Sequence, residues 1–485
     1  RFYLIYNGEI YNHKQLRKEV QKNLGAKYLK GRSDSEILLA LFSFWDLKRI
    51  LSTIRGMYAF SIYDKEKNCI TIVRDPVGEK PLYYFANKDN FAFASQLNAL
   101  KELSFLYNFT FSKENSLQYF FQGYYHSPLT VYENIYQLEP GSYIKYDLNQ
   151  KKIIESRKYW NLIQKNRIYD KTNKKHFQIT LEKKLINSLR SIIPSDVEHC
   201  YFLSSGLDSS TLATISAKIL NNKINTFSLS LPDKDLDEGL QAYKIAESLG
   251  AKHTQINFDT QDLIKIVKKL PEIWDEPFSD PSQIPTLYLS KYVSKRYKVA
   301  ISGDGADELL GGYEYYKNIR LLSFLKKRLF ISTFLKDNNL LKNLFSSIFS
   351  ENLKLNKFYE IINYPFQIPF HNIYLAHFLY PNKLIKNTNI ESMIEIMKNY
   401  PSCSNKFEAI CTYELGKYLP SNCLVKTDRA SMFYGLEVRS PFLSRDLIEW
   451  LYKQPPKIKY SYLNPKFPLR KFLMKHHSKH YLSKK

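Results

Sequence analysis

A chain of 485 residues with 44% hydrophobic side chains is ordinary for a folded protein but too long for one compact core, at roughly 100 to 200 residues per domain. Its 71 basic and 47 acidic residues give a formal charge of +24, yet the lysines are scattered and no run of five or more bases occurs, which argues against a nucleic-acid partner. Five cysteines without a CxxC pair argue against a disulfide framework or a cysteine metal site, and no stretch approaches the ~18 apolar residues of a membrane span, so a cytoplasmic protein is expected.

Residues 1 to 147 alternate short apolar runs with turn residues: "FYLIYNG", "YAFSIYD", "CITIVRDPVG", "PLYYFANKDN", "FAFAS" and "GSYIKYDLN". With the helix-like "SDSEILLALFSFW" between them, this patterning predicts an antiparallel α+β domain. Residues 148 to 172 are polar and lysine-rich and read as a linker. From 173 the texture changes. A helical "HFQITLEKKLINSLRSII" leads into the strand "CYFL", a helix from Ser209, the strand "INTFSLSL", the helix "EGLQAYKIAESLG", the strand "HTQINF", another helix and the strand "KVAISG". Strands alternating with helices of ten or more residues predict an α/β doubly wound, mostly parallel sheet. Residues 313 to 485 read as mainly helical, with a basic, aromatic-rich middle.

The segment "YFLSSGLDSSTLATIS" (201 to 216) places a hydroxyl-rich turn between a strand and a helix. In a parallel sheet such turns face ligands, and the free N–H groups and dipole of the next helix attract an anion. Ser204, Ser205 and Ser209 can donate to phosphate oxygens, and Gly206 permits close approach. Asp208 repels a phosphate unless a divalent cation lies between them, which implies Mg²⁺. Equally, Asp208 or Ser209 can be a plain helix cap. The ending of a Walker loop is missing. A second strand-end turn, "KVAISGDGADELLGGY" (298 to 313), carries Asp304, Asp307 and Glu308 and can converge with the first on one nucleotide and its metal.

"LSSGLDSS" resembles the pyrophosphate loop (SGGxDS) of the ATP-pyrophosphatase families, and "SGDGADELLGGY" its companion in glutamine-dependent asparagine synthetases. "NGEIYNH" (7 to 13), "SDSEILL" (33 to 39), "RDPVGEKPLYY" (74 to 84), "LEPGSYIKYD" (138 to 147), "DEPFSDPSQIPTLYLS" (275 to 290) and "LVKTDRASMFYGLEVRSPFL" (424 to 443) agree with the same family in the right order. The resemblance implies an N-terminal-nucleophile glutaminase domain at 1–147, a linker at 148–172 and an ATP-pyrophosphatase-type synthetase domain at 173–485. It implies ATP-dependent amidation of aspartate through an adenylate, with ammonia drawn from glutamine and pyrophosphate released. A homodimer is a further expectation of the family.

Carried over residue by residue, the resemblance puts Leu203 and Leu229 beside adenine, Ser204, Ser205, Gly206, Asp208 and Ser209 around pyrophosphate, and Ser302, Gly303 and Tyr313 near the nucleotide. Asp208 and Asp307 are the implied metal ligands, and Asp304 the base that assists the attacking amine. Lys426 and Arg429 either neutralise phosphate or substrate carboxylate or pair structurally with Asp428 or Glu437. In the first domain, Asn7 and the Gly8 N–H match the oxyanion hole, while Glu9 and Asp34 match the acids that hold the glutamine amino group. Without the family, Asn7-Gly8 reads equally well as a hairpin turn. Three departures stand out. The family's nucleophilic cysteine lies upstream of the NGE motif, so a chain starting at Arg1 is expected to be a fragment that uses ammonia but not glutamine. Ser205 replaces the usual glycine of the pyrophosphate loop. Lys484 stands near where the family places an essential C-terminal lysine. A related amidotransferase acting on a different carboxylate, or a non-catalytic descendant, are the alternatives.

Overall fold

The structure, a computed structural model, describes residues 1–105, 109–162, 168–194, 196–230, 238–313, 316, 406–461 and 464–477. The first domain is built on an antiparallel sheet in the order β1 (Phe2–Ile10), β2 (Gly56–Asp64), β3 (Cys69–Arg74), β7 (Ser142–Asp147) and β8 (Lys152–Lys158). One face buries Ile10, Phe60 and Val73 against Leu16 and Leu38 of the helices His13–Leu24 and Asp34–Leu41. The other face buries Ala59, Ile72 and Ile144 against a smaller sheet ordered β5 (Phe91–Ala94), β4 (Tyr83–Ala86) and β6 (Ile135–Gln137). Strands covered on both sides are apolar almost throughout, which explains why "YAFSIYD" and "CITIVR" lack strict alternation.

Two sequence expectations change here. Residues 152–158, expected within a linker, form the edge strand β8, with six of its seven residues exposed. An edge strand with little burial has no hydrophobic signature, and its three basic residues suit an open edge. Asn7-Gly8 is not a turn: both lie inside β1, opposite Ala59 and Tyr58 of β2. Gly8 adopts φ +144, and a Cβ there would collide with the Met57 carbonyl, so the position requires glycine.

The second domain is a five-stranded parallel sheet, ordered β11 (Lys252–Asn257), β10 (Asn225–Ser230), β9 (His199–Phe202), β12 (Val299–Ile301) and β13 (Glu437–Arg439). Alternate side chains of β9 enter different cores. Tyr201 packs with the helices Lys174–Ile192 and Leu207–Thr214, whereas Cys200 packs with Gln283–Val293 and Leu424–Met432. Helices therefore cover both faces, the doubly wound arrangement expected. The short strand β13 was not expected in a segment read as helical; three residues give too little pattern to detect. Residues 317–405, which hold the basic, aromatic-rich middle, lie outside the described residues. Among the described residues, no helix is long and apolar enough to cross a membrane.

Adjacent acids of the second domain grip backbone N–H groups of the first: Asp275 accepts from Leu97 at 2.6 Å and Glu276 from Val131 at 3.0 Å. Burial pushes the Glu276 carboxyl up to about 8, against the opposing pull of the Val131 N–H and Arg429. A folded value above the unfolded one means that Glu276 contributes stability below its ordinary carboxylate range and loses it as pH rises toward 8. Glu276→Gln keeps an acceptor for Val131 but never ionises. Its melting temperature should equal the parent's near pH 4.5 and exceed it by roughly 2 °C or more at pH 8. A constant offset across that range in calorimetry would rule out Glu276 as the titrating group.

Candidate active site

The strand order within the second sheet reverses between β9 and β12, which are neighbours although β10 and β11 lie between them in sequence. A crevice opens at such a point beyond the carboxyl ends of the strands, where ligands bind in sheets of this kind. The turns after β9 and β12 border a cavity of about 860 Å³ lined by Leu203, Ser204, Asp208, Ser209, Leu229, Ser302, Gly303, Asp304, Asp307, Tyr313 and Lys426, among others. The two turns touch. A Cβ on Gly303 would stand 2.8 Å from the Asp208 Cβ, so glycine there lets the loops close on each other.

The helix-cap alternative for Asp208 and Ser209 does not hold. Gly206 occupies the N-cap of Leu207–Thr214, no side chain caps it, and Asp208 sits in the first turn. Ser204 and Ser209 instead bond to each other at 3.0 Å, and the Ser204 hydroxyl accepts from the Gly206 N–H at 3.0 Å. Ser205 N–H donates to Glu238 at 3.1 Å. Ser205 is not among the residues with positive φ, so its Cβ puts no strain on the backbone of the loop. Its hydroxyl and Asp208 Oδ1 are buried without a hydrogen-bond partner among the described residues. Orphaned buried polar atoms at a helix N-terminus suit a polar ligand that arrives from outside.

Between the two carboxylates lies a group that the sequence did not reveal. Lys466 Nζ stands 2.5 Å from Asp208 and 2.6 Å from Asp307. Burial pushes Asp208 up to about 6 even though Lys466 pulls it down, and the two carboxylates hold the Lys466 ammonium well above its ordinary value despite burial. Lys466 also has φ +51, a left-handed conformation uncommon for a residue with a Cβ, and it terminates Phe467–His476 at its N-cap. On the other wall, the Asp304 carboxylate accepts from Ser302 at 2.8 Å and from Thr427 at 3.4 Å, and Ser440 donates to the Asp304 carbonyl at 2.6 Å. Lys426 donates to Ser282 at 2.7 Å and lies 3.6 Å from Asp280. Tyr313 donates to Glu308, whose carboxyl burial pushes up to about 7.

The first domain holds a separate cluster. Asp34, at the start of Asp34–Leu41, accepts from Tyr6 at 2.6 Å and from the Ile10 N–H at 2.8 Å, fixing it against β1. Glu9 lies 3.6 Å from Arg439 of the second domain, and burial pushes its carboxyl up to about 7 against that guanidinium. The Asn7 side-chain amide donates to the Ser95 hydroxyl at 3.0 Å. Asn7, Gly8, Glu9 and Asp34 are thus drawn together on β1 and the neighbouring helix.

Arg429 is not among the residues that line the nucleotide cavity, contrary to the reading that it neutralises phosphate or substrate carboxylate. It is 5% exposed, pairs with Asp275 at 2.8 Å and donates to the Ser95 carbonyl at 3.2 Å. The structural partners expected for it, Asp428 and Glu437, are taken by Lys80 at 3.0 Å and Arg439 at 2.6 Å. Lys426 and Arg429 share a motif but not their partners: Lys426 reaches Ser282 and Asp280, whereas Arg429 reaches Asp275 and Ser95. Lys484 lies outside the described residues. Asp280 and Ser282 fall within "DEPFSDPSQ", a segment whose acids were visible but unassigned, whereas Lys466 carries no local signal beyond one basic residue among many.

The asparagine synthase family model matches residues 180–485, and the glutamine amidotransferase domain model matches residues 1–160. "Asparagine synthetase [glutamine-hydrolyzing] 1" of Bacillus subtilis is 28% identical over 490 residues, covering 97% of this chain and 72% of its own length. "Asparagine synthetase [glutamine-hydrolyzing] 3" of the same organism is 24% identical with the same coverage. A Methanocaldococcus jannaschii relative is 33% identical over 328 residues, 67% of this chain, and the match spans 61% of that relative's length. With a match over more than half of its residues, the chain belongs to the asparagine synthase family and carries a glutamine amidotransferase domain ahead of its synthetase domain.

Proposed function

We propose that the protein makes asparagine in the cytoplasm by ATP-dependent amidation of aspartate. Ammonia is supplied by glutamine, and the products are AMP and pyrophosphate. The observation that carries this reading is the meeting of the two acidic, small-residue turns at the switch point between β9 and β12. There Ser204, Ser205, Gly206 and Ser209 would cradle the β- and γ-phosphates, Leu203 and Leu229 border the adenine, and Ser302, Gly303 and Tyr313 lie along the nucleotide.

A carboxylate oxygen of aspartate attacks the α-phosphorus and pyrophosphate departs, so negative charge develops over the Ser204–Ser209 turn. Preorganised N–H and hydroxyl donors stabilise it there without reorganisation. Lys426 lines the cavity, and Lys466 places a second ammonium against two of its lining carboxylates, Asp208 and Asp307. Asp208, with its orphaned oxygen, and Asp307 are the residues that would hold Mg²⁺, since this ion takes one or two protein carboxylates and completes its shell with phosphates and water. When bound, Mg²⁺ supplies charge neutralisation at the phosphate oxygens. Ammonia then attacks the acyl carbon, the bond to AMP breaks, and the amine proton passes to Asp304, which Ser302 and Thr427 orient. In the amidotransferase domain, Asn7 and the Gly8 N–H would receive the oxyanion of glutamine hydrolysis, while Glu9 and Asp34 hold the amino group.

Incubation with ATP, Mg²⁺, ammonium and aspartate should release pyrophosphate and asparagine in equal amounts. Pyrophosphate release with another carboxylic acid, and none with aspartate, would replace the acceptor. No release with any acid would sink the reading.

A further inference from the structure

The nine-residue helix Leu424–Met432 lies between the two sites, and four consecutive side chains divide between them. Lys426 and Thr427 reach the nucleotide cavity through Ser282 and Asp304. Asp428 and Arg429 reach the first domain: Asp428 pairs with Lys80, and Arg429 reaches the Ser95 turn. Successive residues on a helix point about 100° apart, so a run of four spans its circumference and serves both neighbours.

Arg429 is held on three sides. Its guanidinium pairs with Asp275 at 2.8 Å, both side chains no more than 5% exposed; it donates to the Ser95 carbonyl at 3.2 Å; and it lies 5.8 Å from the centre of the Tyr83 ring. Asp275 in turn accepts from the Leu97 N–H at 2.6 Å. The turn 95–97 is therefore clamped at both ends by one buried ion pair from the second domain. The hydroxyl of the clamped Ser95 accepts one N–H of the Asn7 side-chain amide at 3.0 Å. A primary amide has two such hydrogens. Fixing the first sets the plane of the amide and hence the direction of the second.

We propose that Arg429 is a positioning residue: through Ser95 it orients the Asn7 amide as an oxyanion donor and so ties the geometry of the amidotransferase site to the helix that carries Lys426. This rests on the assignment of Asn7 to the oxyanion hole. One nitrogen of the guanidinium, Nη2, serves both Asp275 and the Ser95 carbonyl, in directions fixed by the planar group, which an ammonium on a flexible stem reproduces poorly.

The test measures glutamine hydrolysis and ammonia-dependent asparagine synthesis in the protein with its native amino terminus. Ser95→Ala deletes the acceptor but leaves the Arg429 contact with the backbone. Its kcat for glutamine hydrolysis should fall roughly tenfold or more, with KM for glutamine within about twofold and ammonia-dependent synthesis unchanged. Ser95→Thr keeps the acceptor and should restore kcat, and Arg429→Lys should reproduce the Ser95→Ala signature. Unchanged glutamine kcat in Ser95→Ala, or an equal fall in ammonia-dependent synthesis, overturns the positioning role alone. A parent protein that hydrolyses no glutamine overturns the oxyanion-hole assignment and this role with it.

Discussion

Asp208→Asn should reduce aspartate-dependent pyrophosphate release by about 10³-fold or more while the protein still folds. The substitution is nearly isosteric and removes one negative charge from a carboxylate whose Oδ1 has no partner among the described residues and whose Oδ2 meets Lys466. A neutral amide is a poor ligand for a hard divalent cation. It also leaves the Lys466 ammonium facing Asp307 alone. Loss of a metal ligand and of charge balance acts where charge develops in the transition state, so the fall should appear in kcat and persist at saturating Mg²⁺ and ATP. Circular dichroism and the melting curve separate this from unfolding. Activity within tenfold of the parent would remove Asp208 from the metal site.

Legibility in the sequence followed the physics of each element. Four of the five parallel strands, β9 to β12, fall in segments that read as strands, and the turns after β9 and β12 announced themselves because small residues and acids follow directly on a strand there. The convergence of those turns was readable as a possibility of chemistry; the contact of Gly303 with Asp208 that makes it real depends on strand order. Asn7-Gly8 misleads as a local pattern, because the same dipeptide that favours a hairpin turn also supplies a glycine to a strand packed too closely for a Cβ. Edge strand β8 was missed since neither face is buried, and β13 since it is short. Arg429 and Lys466 show the larger limit. Both are basic residues in a chain with 71 of them, and their partners lie 154 and 258 positions away in sequence, at Asp275 and Asp208. Pairing across such distances leaves no local periodicity to read.

Lys466→Met should lower pyrophosphate release by about 10²-fold or more and destabilise the protein in a pH-dependent way. In the folded chain two carboxylates share one buried ammonium, at 2.5 and 2.6 Å. Methionine preserves most of the stem but removes the charge, leaving Asp208 and Asp307 desolvated and mutually repelling. Breaking a buried pair by deleting one partner typically costs about 3–5 kcal/mol. Burial already pushes Asp208 up to about 6 with Lys466 in place; without the ammonium its folded value rises further, so the folded variant holds a proton that the unfolded chain releases. By linkage the destabilisation grows as pH rises from about 5 toward 8, and lowering the pH relieves it. A melting-temperature deficit that widens across that range, together with the loss of turnover, fits an ammonium that both balances the carboxylates and faces the phosphates. The opposite pattern is equally distinct. If Lys466 only fills the space between the carboxylates until Mg²⁺ arrives, the variant should keep its kcat and reach half-maximal rate at a lower Mg²⁺ concentration, because no ammonium competes for Asp208 and Asp307.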